Sequence, residues 1–394
     1  MNRLESVATR LIAQDTESRC GNLAAMAELA ERLEGAGFTS RLQRWGEGAG
    51  EKANLVAWGG PPEPDGLILS GHLDVVPFRD QPGWTHDPLR LEADDERLYG
   101  RGTSDMKVFL AQCVDAACEL DLGRLRRPVV FLFTSDEEIG CLGAARLAPE
   151  LDTLLGEVPK PALAWIGEPT SWNVFHTHKG IVAFGVTVCG QGGHSSVPEA
   201  GVNAIAVAAQ ALASVGALQA ELRGRGRERF QDVFPEAPYT TLNFGTIQGG
   251  TASNMIAERC DFTVSYRPLP DEDPLAVYHE ARTRLIENVP RDWGSARAAT
   301  LEVSEPLLAP GLLTPPGTAL EAALRAELGP GPLGGAPFCT DGGRFEAAGI
   351  RSLICGPGDL EQAHQPNESI SRAAFASGTQ HILRVVERLC GPGA

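Results

Sequence analysis

The sequence predicts an α/β protein in which a domain with a mostly parallel sheet is interrupted by a second, ferredoxin-like domain. At 394 residues the chain is longer than one ordinary hydrophobic core supports, so two domains are expected. Over the first part of the chain, short apolar runs alternate with helical patterns, which is typical of strands buried on both faces of a parallel sheet. Further on, the order of elements becomes β-α-β-β-α-β, the split ferredoxin-like unit, which can fold by itself.

The first domain is expected to open with helices and to continue with buried strands. Leu4, Val7, Ala8 and Leu11 recur at helical spacing, so the opening residues are expected to form an amphipathic helix. A further helix is expected from about residue 106 to residue 120. Three apolar runs between polar loops predict strands, namely "GLILS" (66–70), "PVVFLF" (128–133) and "ALAWI" (162–166).

The inserted domain is expected over residues 180–304, which leaves a discontinuous first domain of residues 1–179 and 305–394. Its strand patterns lie at 180–188, 239–247, 258–266 and 299–304, and its helical patterns lie near 203–222 and 273–288. A segment rich in proline and glycine, from Pro306 to Pro316, then returns the chain to "RSLICGPGD" and a final helix of the first domain.

Composition and charge exclude several classes of function. The formal net charge of −17 argues against binding to nucleic acid or to an anionic membrane, because both need basic surfaces. We expect no membrane-spanning segment, and the opening residues lack the short apolar core of a secretory signal. The nine cysteines are widely spaced without a CxxC pair, which is typical of a reducing compartment, so a cytoplasmic location is expected.

Ionisable residues follow each predicted strand of the first domain at the point where the strand ends. Because ligands of open α/β sheets bind at the carboxyl ends of the strands, these side chains are expected to converge on one rim. A further carboxylate, Asp105, lies at the start of a predicted helix, where the helix dipole favours an anion. The residues that follow the strands are His72, Asp74, Asp136, Glu137, Glu138, Glu168 and, after a loop with glycine and proline, His364.

Imidazoles and carboxylates gathered at one rim predict a site for two divalent transition-metal ions. Zn²⁺ is the first expectation, with Co²⁺ or Mn²⁺ behind it, because these ions accept nitrogen and oxygen ligands together. One bridging carboxylate, with one imidazole and one carboxylate for each ion, requires five residues. The five candidates are His72, Asp105, Glu138, Glu168 and His364.

Asp74 and the adjacent Glu137 and Glu138 suit supporting roles. Side chains two apart on a strand point to the same side, so the Asp74 carboxylate could orient His72. Taken alone, the same two residues could equally form a hydrogen-bonded structural pair. Of the two glutamates, one can bind metal while the other takes a proton from the attacking water, since neighbouring side chains diverge. Spacing alone does not say which glutamate does which.

Six segments of the chain resemble the signature blocks of the M20 metallopeptidase family, and the likeness extends over almost the whole chain. The segments are "SGHLDVVP", "YGRGTSDMK", "TSDEEIG", "IGEPTS", "GGHSSVPEAGVNAI" and "CGPGDLEQAHQPNE". The resemblance implies that His72 and Glu168 bind one metal ion and that Glu138 and His364 bind the other. It also implies that Asp105 bridges the two ions, that Asp74 orients His72, and that Glu137 is the general base.

In the inserted domain the resemblance implies three further functional residues. His194 in "GGHSS" would stabilise the oxyanion by reaching the site of a partner subunit, and Asn254 and Arg267 would bind the substrate carboxylate. The domain would also close over the site as a lid and carry the contacts of a homodimer. Two positions depart from the family pattern and bear on the substrate side chain: Asp341 stands where glutamate is usual, and Ser265 where an acidic residue is common.

The function implied by the resemblance is cleavage of the amide bond of a small N-acyl amino acid by a cytoplasmic, homodimeric, two-metal hydrolase. N2-acetyl-L-ornithine is the first candidate substrate, which would place the reaction in arginine biosynthesis. Within the same chemistry the alternatives are a succinyl-diaminopimelate desuccinylase, an aminoacylase and a dipeptidase. From another class, the alternative is a relative without activity that only binds a small ligand, although the complete set of ligand candidates and base argues against it.

Overall fold

Two stretches of chain that are far apart in sequence build the first of the two units into which the computed structural model divides. The structure describes residues 2–287, 289–292, 297–331 and 333–393. Unit 1 comprises the chain up to Thr177 and from Leu312 onwards, and unit 2 comprises His178–Gly311. Position 288, where a predicted helix ends, and positions 1 and 394, which limit the predicted first domain, lie outside the described residues.

The helices and strands of the described chain are as follows. The first stretch contains α1 (Arg3–Ala13), α2 (Leu23–Gly35), β1 (Thr39–Trp45), β2 (Lys52–Gly59), β3 (Leu67–His72), β4 (Glu92–Ala93), β5 (Arg97–Tyr99), α3 (Lys107–Glu119), β6 (Val129–Thr134), α4 (Leu142–Leu147), α5 (Leu151–Leu155), β7 (Leu163–Ile166) and β8 (Phe175–His178). Unit 2 continues with β9 (Ile181–Cys189), α6 (Ala204–Leu222), β10 (Thr241–Gly249), β11 (Arg259–Arg267), α7 (Ala276–Glu287), β12 (Thr300–Val303) and β13 (Leu307–Ala309). The last stretch contains β14 (Leu312–Leu313), α8 (Ala319–Leu328), β15 (Gly334–Ala336), α9 (Gly342–Ala347), β16 (Arg351–Ile354), β17 (Ser369–Ser371) and α10 (Arg372–Cys390).

The central sheet of unit 1 is mainly parallel. Within the described residues its strand order is β1-β2-β6-β3-β7-β16-β8-β14, with β15 paired to β8. The four middle strands β6, β3, β7 and β16 are parallel, and β2 joins β6 in antiparallel register. The predicted α/β class with a mainly parallel sheet is therefore confirmed. Because the four middle strands share one direction, their carboxyl ends lie at the same edge of the sheet.

Helices cover both faces of this sheet, which explains why every residue of the middle of β6 is apolar. Val129, Phe131 and Phe133 belong to a core shared with α1, α2, α3 and α10. Val130 and Leu132 face the opposite core, which includes residues of α4, α5 and α9. Successive side chains of a strand point to opposite faces, so a strand with a core on each side needs an apolar residue at every position.

Close packing between β3 and the start of α3 brings two of the predicted ligands together. A Cβ atom on Gly71 would lie 2.5 Å from Cε of Met106 and 2.7 Å from Cδ1 of Leu110, so a larger residue would require these side chains to move. His72 directly follows Gly71, and Asp105 lies in the turn that precedes α3. The missing side chain therefore lets the turn that carries Asp105 approach the end of β3.

Unit 2 has an antiparallel sheet of its own. Its strand order is β10-β11-β9-β12, and β13 also pairs with β9. Along β9, alternate residues are buried, and together with residues of α6 and α7 they form a separate core. The chain order β9-α6-β10-β11-α7-β12 is that of the predicted split ferredoxin-like unit.

Helix α6 is long and apolar enough, by length and composition alone, to cross a membrane, although no such segment is expected from the sequence. Core helices of soluble proteins meet the same criterion. One face of α6 packs into the core of unit 2 through Ala204, Val207, Ala208, Ala211, Val215, Leu218 and Leu222. We therefore interpret α6 as a core helix of unit 2.

Candidate metal centre

The parallel strands of unit 1 end at residues that the sequence predicts as metal ligands. His72 is the last residue of β3, Glu138 follows the end of β6, and Glu168 follows the end of β7. Beyond the end of β16, a loop leads to His364, whose backbone has a left-handed conformation with φ of 64°. Four of the five candidates thus reach one edge of the sheet because neighbouring strands share a direction.

The carboxylate of Asp105 lies between the two imidazoles. Its Oδ1 is 3.0 Å from Nε2 of His72, and its Oδ2 is 3.2 Å from Nε2 of His364. Asp105 reaches this position from the turn before α3, where the Asp105–Met106 peptide bond is cis. A carboxylate that presents one oxygen to each of two imidazoles has the arrangement needed to bridge two metal ions.

Each imidazole also has a second carboxylate beside it. Oε2 of Glu168 lies 3.8 Å from Nε2 of His72, and both carboxylate oxygens of Glu138 lie 3.1 Å from Nε2 of His364. The centre therefore contains two sets of one imidazole and one glutamate, with Asp105 shared between them. Ligand atoms of His72, Asp105 and Glu138 also lie within 4.8 Å of one another, so the two sets adjoin.

The electrostatics of these residues fit a cation-binding centre. Burial raises the pKa of Glu168 to about 7 and raises the pKa of Glu138 above its usual value, although His364 opposes the second shift. Burial opposes protonation of His72, yet the charge of Glu168 and the hydrogen bond to Asp105 raise the pKa of His72 well above its usual value. Hydrogen bonds to Asp105 and Glu138 raise the pKa of His364 to about 10. The cluster thus attracts positive charge, and its nitrogen and oxygen donors suit a divalent transition metal.

Asp74 contacts the centre in a different way from the one expected. Its backbone carbonyl oxygen lies 2.9 Å from Nδ1 of His72, whereas its carboxylate lies 3.7 Å from the same nitrogen. The carboxylate instead accepts hydrogen bonds from Oγ of Ser18 at 2.7 Å and from the backbone N–H groups of Glu137 and Glu138 at 3.1 and 3.3 Å. Because the main-chain oxygen already serves the imidazole, the side chain is available to hold the loop that follows β6.

Glu137 lies beside the His72 side of the centre. Ligand atoms of His72, Glu137 and Glu168 lie within 4.8 Å of one another, and Glu137 is 9% exposed. Burial and the charge of Glu168 raise the pKa of Glu137 well above its usual value. A carboxylate with raised proton affinity at this position is suited to accept a proton and to return it.

A buried ion pair, which was not predicted from the sequence, fixes the turn ending in Asp105. Arg101 and Glu368 are 1% and 0% exposed, and Nη1 of Arg101 donates to Oε2 of Glu368 at 2.7 Å. The other oxygen of Glu368 accepts from the backbone N–H groups of Gly102, Ser104 and Asp105 at 3.1, 2.8 and 2.9 Å. One carboxylate oxygen thereby holds three backbone N–H groups of the turn.

The same arginine connects this turn to the loop of His364. Nη2 of Arg101 donates to Oε1 of Gln81, and Nε2 of Gln81 donates to the backbone carbonyl of His364 at 2.7 Å. The signal in the sequence was a charged residue inside each of two ligand-bearing motifs, "YGRGTSDMK" and "QAHQPNE". A charged side chain that becomes buried on folding requires a partner of opposite charge, so Arg101 and Glu368 were candidates for such a pair.

His194 and Asn254 lie on neighbouring loops of unit 2, and both are exposed. The backbone N–H of Ser195 donates to the carbonyl oxygen of Asn254 at 3.2 Å, and His194 forms a β-bridge with Met255. The ring of His194 is positioned by Ser196, whose Oγ lies 2.8 Å from Nδ1. Unit 2 therefore brings these two predicted residues together.

Arg267 lies at the other end of the sheet of unit 2. It is the exposed last residue of β11, whereas the first residue, Arg259, pairs with Cys189 at the end of β9 that leads to His194. Eight residue steps of about 3.3 Å separate the ends of β11 by about 26 Å. Within one copy of unit 2, Arg267 is thus far from His194 and Asn254.

Comparisons with known proteins agree with one another. The model of peptidase family M20/M25/M40 matches residues 68–388. An acetylornithine deacetylase of Proteus mirabilis (strain HI4320) is 36% identical over 382 residues, which are 96% of this chain and 93% of the relative. An M20 family metallo-carboxypeptidase of Sulfolobus solfataricus has a TM-score of 0.77 at 18% identity and covers 99% of both chains. A dinuclear metal binding peptidase from the M20 family of Bacillus subtilis has a TM-score of 0.63 at 16% identity, covering 98% of this chain and 96% of that chain. At these identities the two structures establish the fold alone.

Proposed function

The chain belongs to peptidase family M20/M25/M40, and on that premise we propose that it removes the acetyl group from N2-acetyl-L-ornithine, releasing L-ornithine and acetate. Membership of the family makes it a metal-dependent hydrolase. The choice of substrate rests on relatives named acetylornithine deacetylase, which are 35–36% identical over most of the chain. The chemical part of the proposal rests on the Asp105 carboxylate, whose two oxygens face two different imidazoles.

Two divalent ions are proposed to bind at this centre, Zn²⁺ first and Co²⁺ or Mn²⁺ as alternatives. His72 and Glu168 would hold one ion, Glu138 and His364 would hold the other, and Asp105 would bridge them. When bound, such a pair supplies Lewis-acid polarisation of the acyl carbonyl and lowers the pKa of the attacking water. The mixed imidazole and carboxylate donors support this choice of metals over Mg²⁺ or Ca²⁺, which prefer oxygen alone.

Glu137 is proposed to move the proton in the reaction. It would accept a proton from the attacking water and later deliver it to the amine that leaves, so the acyl C–N bond breaks and ornithine departs with a neutral amine. Burial, which raises the pKa of Glu137, supports this role. A carboxyl group whose pKa is raised toward the working pH can both accept and donate a proton. The carboxylate of Asp74 holds the backbone N–H of Glu137 and thereby positions the base.

Residues of unit 2 are proposed to bind the substrate from two copies of the chain. His194 would stabilise the oxyanion, while Asn254 and Arg267 would bind the α-carboxylate. About 26 Å along β11 separates Arg267 from the loops of the other two residues, a distance greater than the length of a small amino acid. A homodimer in which the partner supplies His194 and Asn254 meets this constraint.

The surface of unit 2 supports self-association. Ile205 on α6, Ile247 on β10 and Met255 on the neighbouring loop are 42%, 58% and 47% exposed, and β10 is the edge strand of its sheet. Exposed apolar side chains beside an unpaired strand edge are typical of a protein–protein contact.

A cytoplasmic enzyme acting on a small molecule, without nucleic-acid or membrane partners, is in keeping with the net charge of −17.

A second candidate function is hydrolysis of another amide by the same chemistry, as a desuccinylase, an aminoacylase or a dipeptidase. Asp341 and Ser265 favour this candidate, because both depart from the residues expected for an enzyme acting on ornithine. A relative that only binds a small ligand is the less favoured possibility, since the ligand and base residues are all present.

A panel of substrates separates these candidates. The zinc-loaded protein is assayed with N2-acetylornithine, N-succinyl-diaminopimelate, N-acetylmethionine and an unblocked dipeptide, and kcat/KM is measured for each. We expect N2-acetylornithine to have the highest kcat/KM by about tenfold or more, as one well-placed charged contact provides. A preference for the succinyl compound or the dipeptide would replace the proposed substrate, and no turnover of any of them would leave the ligand-binding alternative.

A further inference from the structure

A thiol and a second carboxylate, those of Cys141 and Asp341, lie next to Glu137, and a second thiol, that of Cys339, lies beside Cys141. Sγ of Cys141 donates to Oε1 of Glu137 at 3.5 Å, and the side chain of Cys141 is also hydrogen-bonded to that of Cys339. Cys141 precedes α4, and Cys339 lies in the segment that leads to α9. Cys141 is 2% exposed and Cys339 is partly buried.

Asp341 completes this cluster, and half of its carboxylate lacks a partner. The side chain is 2% exposed, and Oδ2 accepts a hydrogen bond from Oγ1 of Thr134 at 2.5 Å. Its Oδ1 is buried and has no hydrogen-bond partner among the described residues. A buried carboxylate oxygen without a partner is costly, so the fold keeps an acceptor here that a cation could satisfy.

The spacing of the donor atoms suits a tetrahedral metal ion. One ligand atom each of Glu137, Cys141 and Asp341 lies within 4.8 Å of the others. With a Zn–S bond of about 2.3 Å and a Zn–O bond of about 2.0 Å, two tetrahedral ligands are about 3.5 Å apart. The measured separation between Sγ of Cys141 and Oε1 of Glu137 is 3.5 Å.

We propose that Glu137, Cys141 and Asp341, with Cys339 as the fourth donor, form a third metal site, for a thiophilic divalent cation such as Zn²⁺, Cd²⁺ or Co²⁺. On binding, each S–H bond that breaks releases its proton to solvent while a metal–sulfur bond forms. The site differs in chemistry from the centre around Asp105, whose donors are nitrogen and oxygen only.

Occupation of this third site inhibits the enzyme. The carboxylate of Glu137 becomes a ligand and can no longer accept a proton, so an excess of metal stops the turnover that a smaller amount supports. This consequence rests on the proposed role of Glu137 in the reaction, whereas the binding of the metal does not.

Cobalt titration of the metal-free protein tests the site by its spectrum. Only a site that includes cysteine produces a thiolate-to-cobalt charge-transfer band in the near ultraviolet, because imidazole and carboxylate ligands give none. We expect the first two equivalents of Co²⁺ to bind without this band and a third to bind with it, while activity falls in parallel with the band.

Three variants make the assignment specific. The double variant Cys141→Ser/Cys339→Ser should abolish the band while the protein still binds two equivalents of Co²⁺, and Asp341→Asn should weaken the third equivalent about 10- to 100-fold, as loss of one charged ligand does. Cys118→Ser is the matched control, because Cys118 is exposed on α3 and lies outside the cluster, and it should leave the band unchanged.

Two results would overturn the proposal. One is saturation at two equivalents with no band in the unaltered protein, and the other is a band that survives in Cys141→Ser/Cys339→Ser. The cobalt spectrum does not depend on the substrate, so it tests the third site even if the protein fails to hydrolyse N2-acetylornithine. Conversely, a missing third site leaves the proposed hydrolysis untouched.

Discussion

The metal centre of unit 1 and the substrate loops of unit 2 differ in how complete each is within one chain. In unit 1, His72, Asp105 and Glu168 are almost fully buried, and both carboxylates lie within 4 Å of Nε2 of His72. In unit 2, the three predicted substrate residues are exposed, and Arg267 lies at the opposite end of the sheet from His194. Buried charges must find partners inside the fold, whereas exposed groups remain hydrated until a ligand arrives.

The difference in burial corresponds to the two proposed roles, metal binding in unit 1 and substrate binding in unit 2. The candidate centre of unit 1 is arranged before any substrate binds, because its proposed ligands are fixed by strand ends and by the Arg101–Glu368 pair. In our proposal, the residues of unit 2 form a site only when a substrate and a second copy of the chain join them. Changes in unit 1 should therefore alter metal content and kcat, and changes in unit 2 should alter substrate binding.

Removal of the metal ions should have the largest effect on activity, and this effect should arise in unit 1 alone. A chelator is expected to abolish activity, because neither the carbonyl nor the attacking water is then activated. Added Zn²⁺ or Co²⁺ should restore turnover, and the ions should raise the Tm of the transition that reports on unit 1. Metal content is measured beside activity, and full activity in protein shown to be free of metal would contradict the two-metal proposal.

Glu137→Gln should produce the next largest effect. The amide keeps the size of the side chain but cannot accept the proton, so kcat should fall by about 10²- to 10⁴-fold. Two equivalents of metal should still bind, because Glu137 is not one of the five proposed ligands. Glu361→Gln, an exposed change in the loop before His364, is the control and should leave kcat unaltered. A variant at position 137 that keeps near-normal kcat would remove this residue from the role of base.

Glu368→Gln should weaken metal binding without touching a ligand. The substitution leaves buried Arg101 without its ion-pair partner and loosens the turn that positions Asp105, so metal affinity should fall about 10- to 100-fold. The measurement is the metal dissociation constant, with Tm recorded so that general destabilisation is recognised. If Tm falls while metal affinity stays the same, the pair only supports the fold and does not position Asp105.

Arg267→Ala should have the smallest effect, and it should be selective for the substrate. Loss of an exposed charged contact corresponds to about 1.5 kcal/mol, or roughly tenfold in kcat/KM, for substrates with a free α-carboxylate. Substrates in which that group is an amide should be affected much less. Arg259→Ala, at the opposite end of the same strand, is the matched control. An equal loss on both classes of substrate would count against a carboxylate contact at position 267.

Sequence patterns predicted the strands, and the meeting of His72 with Glu168, where one local reason sufficed. The apolar run of β6 predicts a strand buried on both faces, and the structure places it between two cores. His72 and Glu168 follow apolar strands that the structure makes parallel neighbours, so their meeting required only the rule that strand ends share an edge.

The prediction for Asp74 shows where such local reasoning ends. Its position two residues after His72 suggested a carboxylate that orients the imidazole, but the backbone oxygen of Asp74 lies closer to the ring. The carboxylate instead accepts hydrogen bonds from Ser18 and from the loop that follows β6. The spacing of two residues on one strand does not predict either contact.

By itself the sequence determined the elements, their order and the kinds of donor atom available, because hydrophobic periodicity and the chemistry of each side chain are local properties. Only the tertiary structure decided which oxygen of Asp105 faces which imidazole and that Glu368, 263 positions away, holds the N–H of Asp105. It also decided that Cys141 and Asp341 adjoin the proposed base. These contacts depend on distances set by packing between remote segments, and no spacing along the chain encodes those distances.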